Sequence, residues 1–505
     1  MTNRQRFFLN GLLLTAVAIA VRSVSLIFNS FITHNIGAEG MGLFTLIGTV
    51  YSFAVTFATS GISLTVTRLT SSAIGKGKAG EVVGVLRSAT AYSLVFSIFA
   101  SLTLFIGAPY FAGTVLSDLR AVRPLRVLAV SLVPLALSSV FSGYFVGVKR
   151  VGRNALVQVL GQVFRITVTS FFILRYAKLG VEEGTVALCL SMTLTEILVF
   201  LVALVEFLWD KRRNFRRKNP NEAHFPEVCK MALPLALSAY IRSALLTIEH
   251  ILIPKRLRDG GNSHTDALAA YGVLHGMALP VLLFPMSPLT SFSGLLVPEF
   301  SESMARGENS RMQRISSEAL NTTLVYSIAA MAFVALFSEE IGYAAYSSYS
   351  AGYYIALMAP VLPIMYLDHV TDAMLKGIGE HVYSMWVNIS DSFLSVILVW
   401  FLIPRMGISG YAVVIVVMEG YNFILSAIRL YKRVKFRISP VRAVLLPLVA
   451  AFFSSYVAKH TFINIGSRPS PVWLFLEIIF AVCIFTAVYL TFSLISKRKN
   501  KTSQA

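Results

Sequence analysis

Residues 7–33 read FFLNGLLLTAVAIAVRSVSLIFNSFIT, and residues 41–66 read MGLFTLIGTVYSFAVTFATSGISLTV. The first stretch contains one charged residue, Arg22, and the second contains none. About 20 consecutive apolar residues suffice for a helix to cross the hydrocarbon core of a bilayer. Each stretch therefore predicts a membrane-spanning helix, and the Gly-rich segment at residues 34–40 predicts the turn that joins them.

The composition of the whole chain agrees with this local pattern. Of the 505 residues, 56% are hydrophobic and 14% are charged, and the mean hydropathy is +0.70. A soluble domain carries roughly 25% charged residues. The apolar runs are continuous instead of alternating, which favours helices over a transmembrane barrel.

Further apolar runs extend the pattern to the end of the chain. The predicted fold is all-α: a polytopic membrane protein of about fourteen helices, in two six-helix bundles followed by two C-terminal helices. The predicted helices lie near residues 7–33, 41–66, 85–111, 122–147, 155–176, 184–209, 230–254, 268–297, 318–345, 351–375, 383–403, 409–430, 441–460 and 471–495.

The distribution of basic residues predicts the orientation. With both termini in the cytoplasm, 30 of the 44 Lys and Arg residues fall on the cytoplasmic side and 11 on the outer side, as the positive-inside rule requires. The net charge of +19 is spread in short clusters between apolar runs. No basic and aromatic residues interleave as in a nucleic-acid surface, so no nucleic acid partner is expected. The three cysteines form no CxxC or framework spacing, which argues against a metal site and a disulfide scaffold.

The sequence predicts three regions along the chain, with a hinge between the first two. The polar stretch 210–227 (DKRRNFRRKNPNEAHFPE) predicts a hinge after the sixth helix. We therefore expect an N-terminal six-helix lobe at 1–222, a C-terminal six-helix lobe at 223–438, and two additional helices with a basic cytoplasmic tail at 439–505.

The two lobes share matched features in the same order, which predicts a parallel six-helix duplication. Arg22-Ser23 corresponds to Arg242-Ser243, and the turn at 37–42 corresponds to the small residues at 269–272. Later, Lys149-Arg150-Val151-Gly152 is matched by Lys376-Gly377-Ile378-Gly379 at a similar separation along the chain. Two such bundles are expected to enclose a substrate cavity at their interface.

These features together resemble a known superfamily. The Gly-rich turn opening helix two, the Pro298-Glu299-Phe300-Ser301 loop after helix eight and the two extra C-terminal helices are similar to the MATE-like multidrug/oligosaccharidyl-lipid/polysaccharide (MOP) exporters. Within it, the chain most resembles the stage V sporulation protein B group of polysaccharide biosynthesis proteins. The resemblance implies a flippase that works by alternating access in a bacterial cell membrane. It also implies an undecaprenyl-pyrophosphate-linked saccharide as cargo, a peptidoglycan precursor that the sporulation group would use for the spore cortex.

Charged side chains at membrane depth cost at least about 2.5 kcal/mol on insertion scales, so they tend to face a cavity or a partner. The duplication places Arg22 and Arg242 at equivalent points, with Asn29 and Glu249 seven residues beyond them on the same helix faces. A guanidinium matches the dense charge of a pyrophosphate. We therefore predict these four residues and Arg165 as substrate-binding; the alternative is that each Arg pairs with a carboxylate and ties helices together.

Several carboxylates are candidates for coupling an ion gradient to transport. Asp368 and Asp372 share one face of helix ten, Asp391 lies in helix eleven, Glu419 in helix twelve and Glu196 in helix six. Such a set suits Na⁺ or H⁺. The alternative is that Asp372 and Asp391 are solvated at helix ends. No other cofactor is expected.

No enzyme motif occurs at a spacing that chemistry requires, so the chain is predicted not to be an enzyme. The expected partners are a lipid-linked saccharide and membrane lipids, and the expected state is a monomeric transporter. A cation-coupled multidrug exporter is the main alternative function. A membrane-embedded glycan polymerase and a non-transporting scaffold are the others, but the longest predicted outer loop, 255–267, is short for a polymerase.

Overall fold

The computed structural model describes residues 3–59, 61–76, 80–214, 225–464 and 471–502. Within these residues the regular structure is helical throughout and contains no strand, which confirms the all-α prediction. The predicted hinge at 210–227 lies mostly outside the described residues.

Seventeen α-helices are found in the described part of the chain. Short π-helical turns at Phe111–Leu116, Gly272–Ala278 and Val441–Leu445 interrupt or precede them. In chain order the helices are α1 Asn3–Thr59, α2 Ile62–Gly75, α3 Glu81–Tyr110, α4 Val122–Gly147, α5 Val151–Tyr176, α6 Val181–Asn214, α7 Phe225–Asp259, α8 His264–Tyr271, α9 Leu279–Leu283, α10 Ser287–Ala305, α11 Asn309–Leu336, α12 Ser338–Tyr346, α13 Tyr349–Met358, α14 Leu362–Gly377, α15 His381–Val434, α16 Leu446–Asn464 and α17 Pro471–Thr502.

Two of these helices are far longer than a bilayer is thick, and each is broken at a glycine. α1 has 57 residues with a break at Gly37 (φ 72°), and α15 has 54 residues with a break at Gly407 (φ 60°). A straight helix of 54 residues would be roughly 80 Å long, against about 30 Å for the hydrocarbon core. Both breaks fall between predicted helices, where a positive φ favours glycine.

Twelve stretches of the described residues are long and apolar enough to cross a membrane. Two of them, Val21–Ile74 and His381–Val434, have 54 residues each and contain the breaks just described. The chain is therefore a multi-pass membrane protein, and the count of about fourteen helices stays a prediction.

Some predicted boundaries are wrong. The predicted helix 318–345 instead ends at Leu336 and is followed by the separate α12. The turn buries Phe337 completely in a cluster with α16 and α17, while Glu339 and Glu340 at the start of α12 remain exposed. The predicted helix 268–297 is a series of α, π and 3₁₀ segments, because prolines such as Pro280 and Pro285 remove helical hydrogen bonds.

The helices form two compact units. The C-terminal unit comprises Met1–His34, Arg256–Asn262 and Val273–Ala505, and the N-terminal unit comprises Asn35–Lys255 and Ser263–Gly272. α1 therefore contributes residues to both units. The break in this helix at Gly37 lies close to the point in the sequence where one unit ends and the other begins. The domain boundaries drawn from the sequence stay a prediction.

Equivalent contacts inside the two units show the internal duplication. In the N-terminal unit the Ser71 hydroxyl donates to the Gly147 carbonyl at 3.1 Å. In the C-terminal unit the Ser301 hydroxyl donates to the Gly377 carbonyl at 2.9 Å. Ser71 and Ser301 are as far apart in the sequence as Gly147 and Gly377, as a duplication requires.

The turns that follow these glycines are also alike, and they correct the sequence alignment. The amide of Arg150 donates to the Phe145 carbonyl at 2.8 Å, and the amide of Glu380 donates to the Leu375 carbonyl at 3.0 Å. Arg150 and Glu380 are separated by that same interval, and each precedes a long helix. The sequence match of Lys149 with Lys376 was therefore displaced by about one turn of helix, because it followed residue types instead of backbone hydrogen bonds.

The two small-residue turns that the duplication relates pack against each other within the N-terminal unit. A Cβ atom at Gly42 would lie 2.0 Å from the Leu268 carbonyl oxygen, and one at Gly272 would lie 2.3 Å from the Ala38 carbonyl oxygen. Only glycine permits so close an approach of two helix backbones.

Candidate functional site

A cavity of about 350 Å³ lies in the C-terminal unit, between α1 and the interrupted helix after α8. Its volume falls in the usual range for small-molecule sites. One part of its wall is polar and the other part is aliphatic, so the cavity suits an amphiphile. The lining residues are Arg22, Ser25, Leu26, Asn29, His275, Leu279, Pro280 and Leu283.

The α1 side of the cavity follows from helical spacing. Arg22, Ser25, Leu26 and Asn29 are three, four and seven residues apart, so they share one helix face. The apolar residues at positions 21, 24 and 27 point elsewhere and are exposed, as expected for a surface in contact with lipid.

The opposite side of the cavity is shaped by the π-helical turn Gly272–Ala278. Such turns are rare and frequently occur at functional sites, because they displace side chains from the regular helical positions. This turn directs His275 to the cavity wall, where its ring lies 5.5 Å from that of Tyr411.

Asn29 joins these two sides. Its side-chain amide donates to the Gly276 carbonyl at 2.6 Å and to the Tyr346 hydroxyl at 3.2 Å. Both N–H donors of Asn29 are therefore engaged with protein atoms. Asn29 therefore positions α1 against the π-helical turn, and because it also lines the cavity, its substrate-binding role stays a prediction.

Neither predicted headgroup arginine is neutralised by a carboxylate among the side chains that the structure describes. Arg22 is half-buried in the cavity wall of the C-terminal unit, and Arg242 is exposed on α7 in the N-terminal unit. Within the described ranges, no Asp or Glu forms an ion pair with either of them. The alternative that these arginines merely tie helices through carboxylates has no support in this part of the chain.

Glu249 and Arg165 lie in the N-terminal unit and outside this cavity. Glu249 is buried, with a relative exposure of 7%, and interacts electrostatically with Tyr271. Arg165 lies 3.8 Å from the Glu196 carboxylate, across α5 and α6. Arg165 and Glu196, predicted separately as cavity and coupling residues, thus form one ion pair, which favours a structural role for both.

Four of the predicted coupling carboxylates come together in the C-terminal unit. Asp368 on α14 interacts electrostatically with Asp372 on the same helix, and with Asp391 and Glu419 on the two parts of α15. One carboxyl oxygen of Asp368 has no hydrogen-bond partner within the described residues. Within the described residues, no group of three or more His, Cys, Asp or Glu is arranged so that it could hold a metal ion.

Asp372 differs from the other three. Its carboxylate lies 2.5 Å from the Lys376 ammonium group, one turn further along α14, and it accepts a hydrogen bond from the Ser384 hydroxyl. This agrees with the alternative that Asp372 is neutralised and solvated at a helix end.

Two features of the site were missed in the sequence. His275 is the only His or charged residue in the predicted helix 268–297, and that isolation was a usable signal. The π-helical turn has no comparable signal in the sequence, and its contact with α1, from Asn29 to the Gly276 carbonyl, joins residues far apart in the chain.

Comparisons with known proteins agree with the family resemblance. The family model "Polysaccharide biosynthesis protein" matches residues 8–304, and the MatE model matches residues 261–401. The chain is 27% identical over 421 residues to stage V sporulation protein B of Bacillus subtilis (strain 168), which covers 82% of this chain and 81% of the relative. It is 23% identical over 381 residues to the lipid II flippase MurJ of the same organism, covering 69% of each.

Two solved structures share the fold at low sequence identity. The lipid II flippase MurJ in an inward closed conformation matches with a TM-score of 0.70 and 15% identity, over 96% of this chain and 99% of that chain. An inward-facing multidrug resistance MATE family transporter of the MOP superfamily matches with a TM-score of 0.67 and 17% identity, over 82% and 96%.

Proposed function

The chain belongs to the polysaccharide biosynthesis protein family of the MOP superfamily, and from that premise we propose that it is a flippase for a lipid-linked saccharide. The proposed cargo is an undecaprenyl-pyrophosphate-linked peptidoglycan precursor, moved across the bacterial cell membrane by alternating access. The similarity to stage V sporulation protein B and to a lipid II flippase supports this class of cargo.

One observation carries the proposal: Arg22 lines the cavity and lacks an acidic partner among the described side chains. An arginine held at membrane depth is costly, and an anionic ligand offsets that cost. A guanidinium offers a planar set of N–H donors that binds phosphate oxygens through two hydrogen bonds at once. A pyrophosphate in this cavity would therefore supply the missing partner.

The rest of the wall fits the other parts of such a lipid. Ser25 donates its hydroxyl to the Val21 carbonyl at 2.9 Å, so its oxygen remains able to accept from a sugar hydroxyl. Leu26, Leu279 and Leu283 form the aliphatic part of the wall, where the first isoprene units of the carrier would pack.

We propose that the acidic cluster of Asp368, Asp391 and Glu419 couples transport to an ion gradient. Carboxylates of this kind suit either H⁺ or Na⁺, and H⁺ is tested first. Transport by Glu419→Gln should then become independent of a pH gradient across the vesicle. The matched control is Glu302→Gln, which neutralises a surface carboxylate paired with Arg306 at 2.6 Å and should retain the dependence.

The cargo is tested in liposomes that contain a fluorescent lipid-linked pyrophosphoryl disaccharide, whose exposure to an external reductant is followed with time. We expect wild type to transport it, Arg22→Ala to fall at least tenfold, and Arg22→Lys to be intermediate. Arg175→Ala, an exposed arginine at the end of α5, should match wild type. Arg242→Ala, run in parallel, tests the predicted role of the second arginine.

A cation-coupled multidrug exporter is the second candidate, and the acidic cluster in the C-terminal unit favours it. If wild type moves the lipid no faster than empty liposomes but expels a cationic dye under an ion gradient, this function replaces the first. Arg22→Ala would then leave dye export unchanged or increase it, since a positive side chain repels a cationic cargo.

A further inference from the structure

The connection between α15 and the next membrane-spanning segment is held along the beginning of α11. This connection, residues 435–440, is called the linker below. Gln313 donates to the carbonyl of the first linker residue at 2.8 Å, and Asn321 donates to the carbonyl of the third at 3.0 Å. The amide of that third residue donates to the Ser317 hydroxyl at 2.9 Å. A stripe of three polar side chains, four residues apart, thus fixes the path of the linker backbone.

The last turn of α15 and the linker present basic side chains without acidic partners in the described part of the chain. Lys432, Lys435 and Arg437 are all exposed. Among the residues that the structure describes, no Asp or Glu forms an ion pair with any of the three. These three side chains are called the basic surface.

The neighbouring basic residues, in contrast, share a carboxylate. Glu380 accepts hydrogen bonds from Arg429 at 2.8 Å and from Arg433 at 2.9 Å. The other acidic residues of the same end of the C-terminal unit also have basic partners. These pairs are Glu302 with Arg306, Glu299 and Glu308 with Arg311, and Glu318 with Arg314. Lys432, Lys435 and Arg437 are therefore a group of adjacent cations that no carboxylate pairs with among the described side chains.

Exposed apolar side chains flank the basic surface. Tyr431, Ile438 and Val441 have relative exposures of 54%, 38% and 65%. The membrane-spanning stretches on either side end at Val434 and begin again at Val441. The linker consequently lies where a bilayer changes from hydrocarbon to headgroups, and its composition of cations beside apolar groups matches that boundary.

We propose that the basic surface binds the headgroups of anionic phospholipids in the adjacent leaflet, while Tyr431, Ile438 and Val441 contact the glycerol and upper acyl region. Juxtamembrane basic residues attract anionic lipids, and each contributes roughly a fivefold gain in affinity near the surface. The hydrogen bonds from α11 hold the backbone that carries Lys435 and Arg437, and Lys432 is held by α15 itself, so binding does not require the linker to become ordered. The inference is independent of the cargo.

The test uses the full chain purified in a neutral detergent. A bimane fluorophore is attached at Val441→Cys, with Cys229 and Cys483 replaced by Ser, and reports binding beside the linker. Dioctanoylphosphatidylglycerol is titrated, and dioctanoylphosphatidylcholine serves as the uncharged-headgroup probe. We expect the anionic lipid to half-saturate at a concentration at least tenfold lower, and this preference to shrink as salt rises from about 0.1 M to about 0.5 M.

A triple variant should lose the preference for the anionic lipid; its substitutions are Lys432→Gln, Lys435→Gln and Arg437→Gln. A second variant, in which Lys and Arg are exchanged at these three positions, should retain that preference within about threefold. The matched control should leave the preference for the anionic lipid unchanged. It removes three exposed charges elsewhere, by Arg175→Gln, Lys178→Gln and Lys255→Gln.

Three results would overturn the proposal. They are equal binding of the two lipids by wild type, full binding by the neutralised triple variant, and displacement of the lipid by inorganic phosphate at similar concentration, which would indicate a simple anion site. If the triple variant fails to fold, the proposal is judged from wild type alone, by its preference between the two headgroups and the dependence of that preference on salt.

Discussion

Neutralising Asp210 is expected to destabilise the N-terminal unit more than any other single loss of charge at that end of α6. Asp210 is completely buried. It accepts a hydrogen bond from the Tyr144 hydroxyl at 2.6 Å, forms an ion pair with Arg150, and lies 3.3 Å from Arg153. Asp210→Asn preserves the shape and one acceptor oxygen, but it removes the carboxylate paired with Arg150 and leaves Arg153 with Glu206 alone.

The magnitude follows from the burial of the partners. Removing one member of a buried ion pair costs about 3–5 kcal/mol. Arg150 and Arg153 have side-chain exposures of 35% and 21%, so they regain part of their hydration and the expected loss is about 2–3 kcal/mol. Tyr144→Phe keeps the ring and removes the hydrogen bond to this carboxylate, and we expect it to cost about 1.5–3 kcal/mol.

The duplicated turn supplies an internal control with the charges reversed. In the C-terminal unit, the turn residue Glu380 is acidic, and its partners Arg429 and Arg433 on the long helix are basic. Because these arginines have exposures of 35% and 58%, Glu380→Gln should cost about 1 kcal/mol or less.

The free energy of unfolding is measured for the three variants and wild type in mixed detergent micelles. The Arg153 guanidinium lies 4.5 Å from the Trp209 ring, so a chain in which Trp209 is the only tryptophan reports the release of this contact. A loss below about 0.5 kcal/mol for Asp210→Asn, or equal losses for it and Glu380→Gln, would refute the argument from burial.

Three further predictions concern packing, pH and the cavity. Gly42→Ala should cost about 3 kcal/mol or more by overpacking against the helix at Leu268, whereas Gly48→Ala on the same helix has open space and should gain up to about 1 kcal/mol from helix propensity; unfolding free energies that do not separate the two would contradict the close approach. The hydrogen bond from Arg429, chiefly, lowers the pKa of Glu380 below its ordinary value of 4.5; the stabilisation is therefore complete above the ordinary pKa and lost as pH falls through the lowered one, so the unfolding midpoint of Glu380→Gln should vary less with pH below about 4.5 than that of wild type. Asn29→Ala should cost about 1–2 kcal/mol for two lost hydrogen bonds and slow lipid transport, and an unchanged transport rate would exclude the positioning role.

Much of the fold could be read from short stretches of the sequence. A span requires only enough consecutive apolar residues, and a break requires glycine where φ is positive, so both are local properties. Gly37 and Gly407 illustrate this, because each falls between two predicted helices. The duplication was also visible, although its alignment was corrected by the hydrogen bonds of the turns at Arg150 and Glu380.

The site was predictable only in part. Arg22 was identified because a charge at membrane depth requires a reason, and that reasoning needs no neighbour. The roles of Asn29, Arg165 and Asp372 depended on which atoms lie across from them in other helices, and spacing along one helix carries no such information.

The sequence by itself therefore determined the all-α membrane class and the family resemblance. The class follows because lipid imposes one requirement on every apolar segment independently. Only the tertiary structure decided which charged groups are paired within the protein and which remain available to a ligand. It pairs Arg165 with Glu196 and Asp372 with Lys376, brings Asp368 near Asp391 and Glu419, and leaves Arg22 beside His275 in a cavity. The physical reason is that neutralising a charge requires a partner within a few ångströms, and in a helical membrane protein that partner generally comes from a different helix.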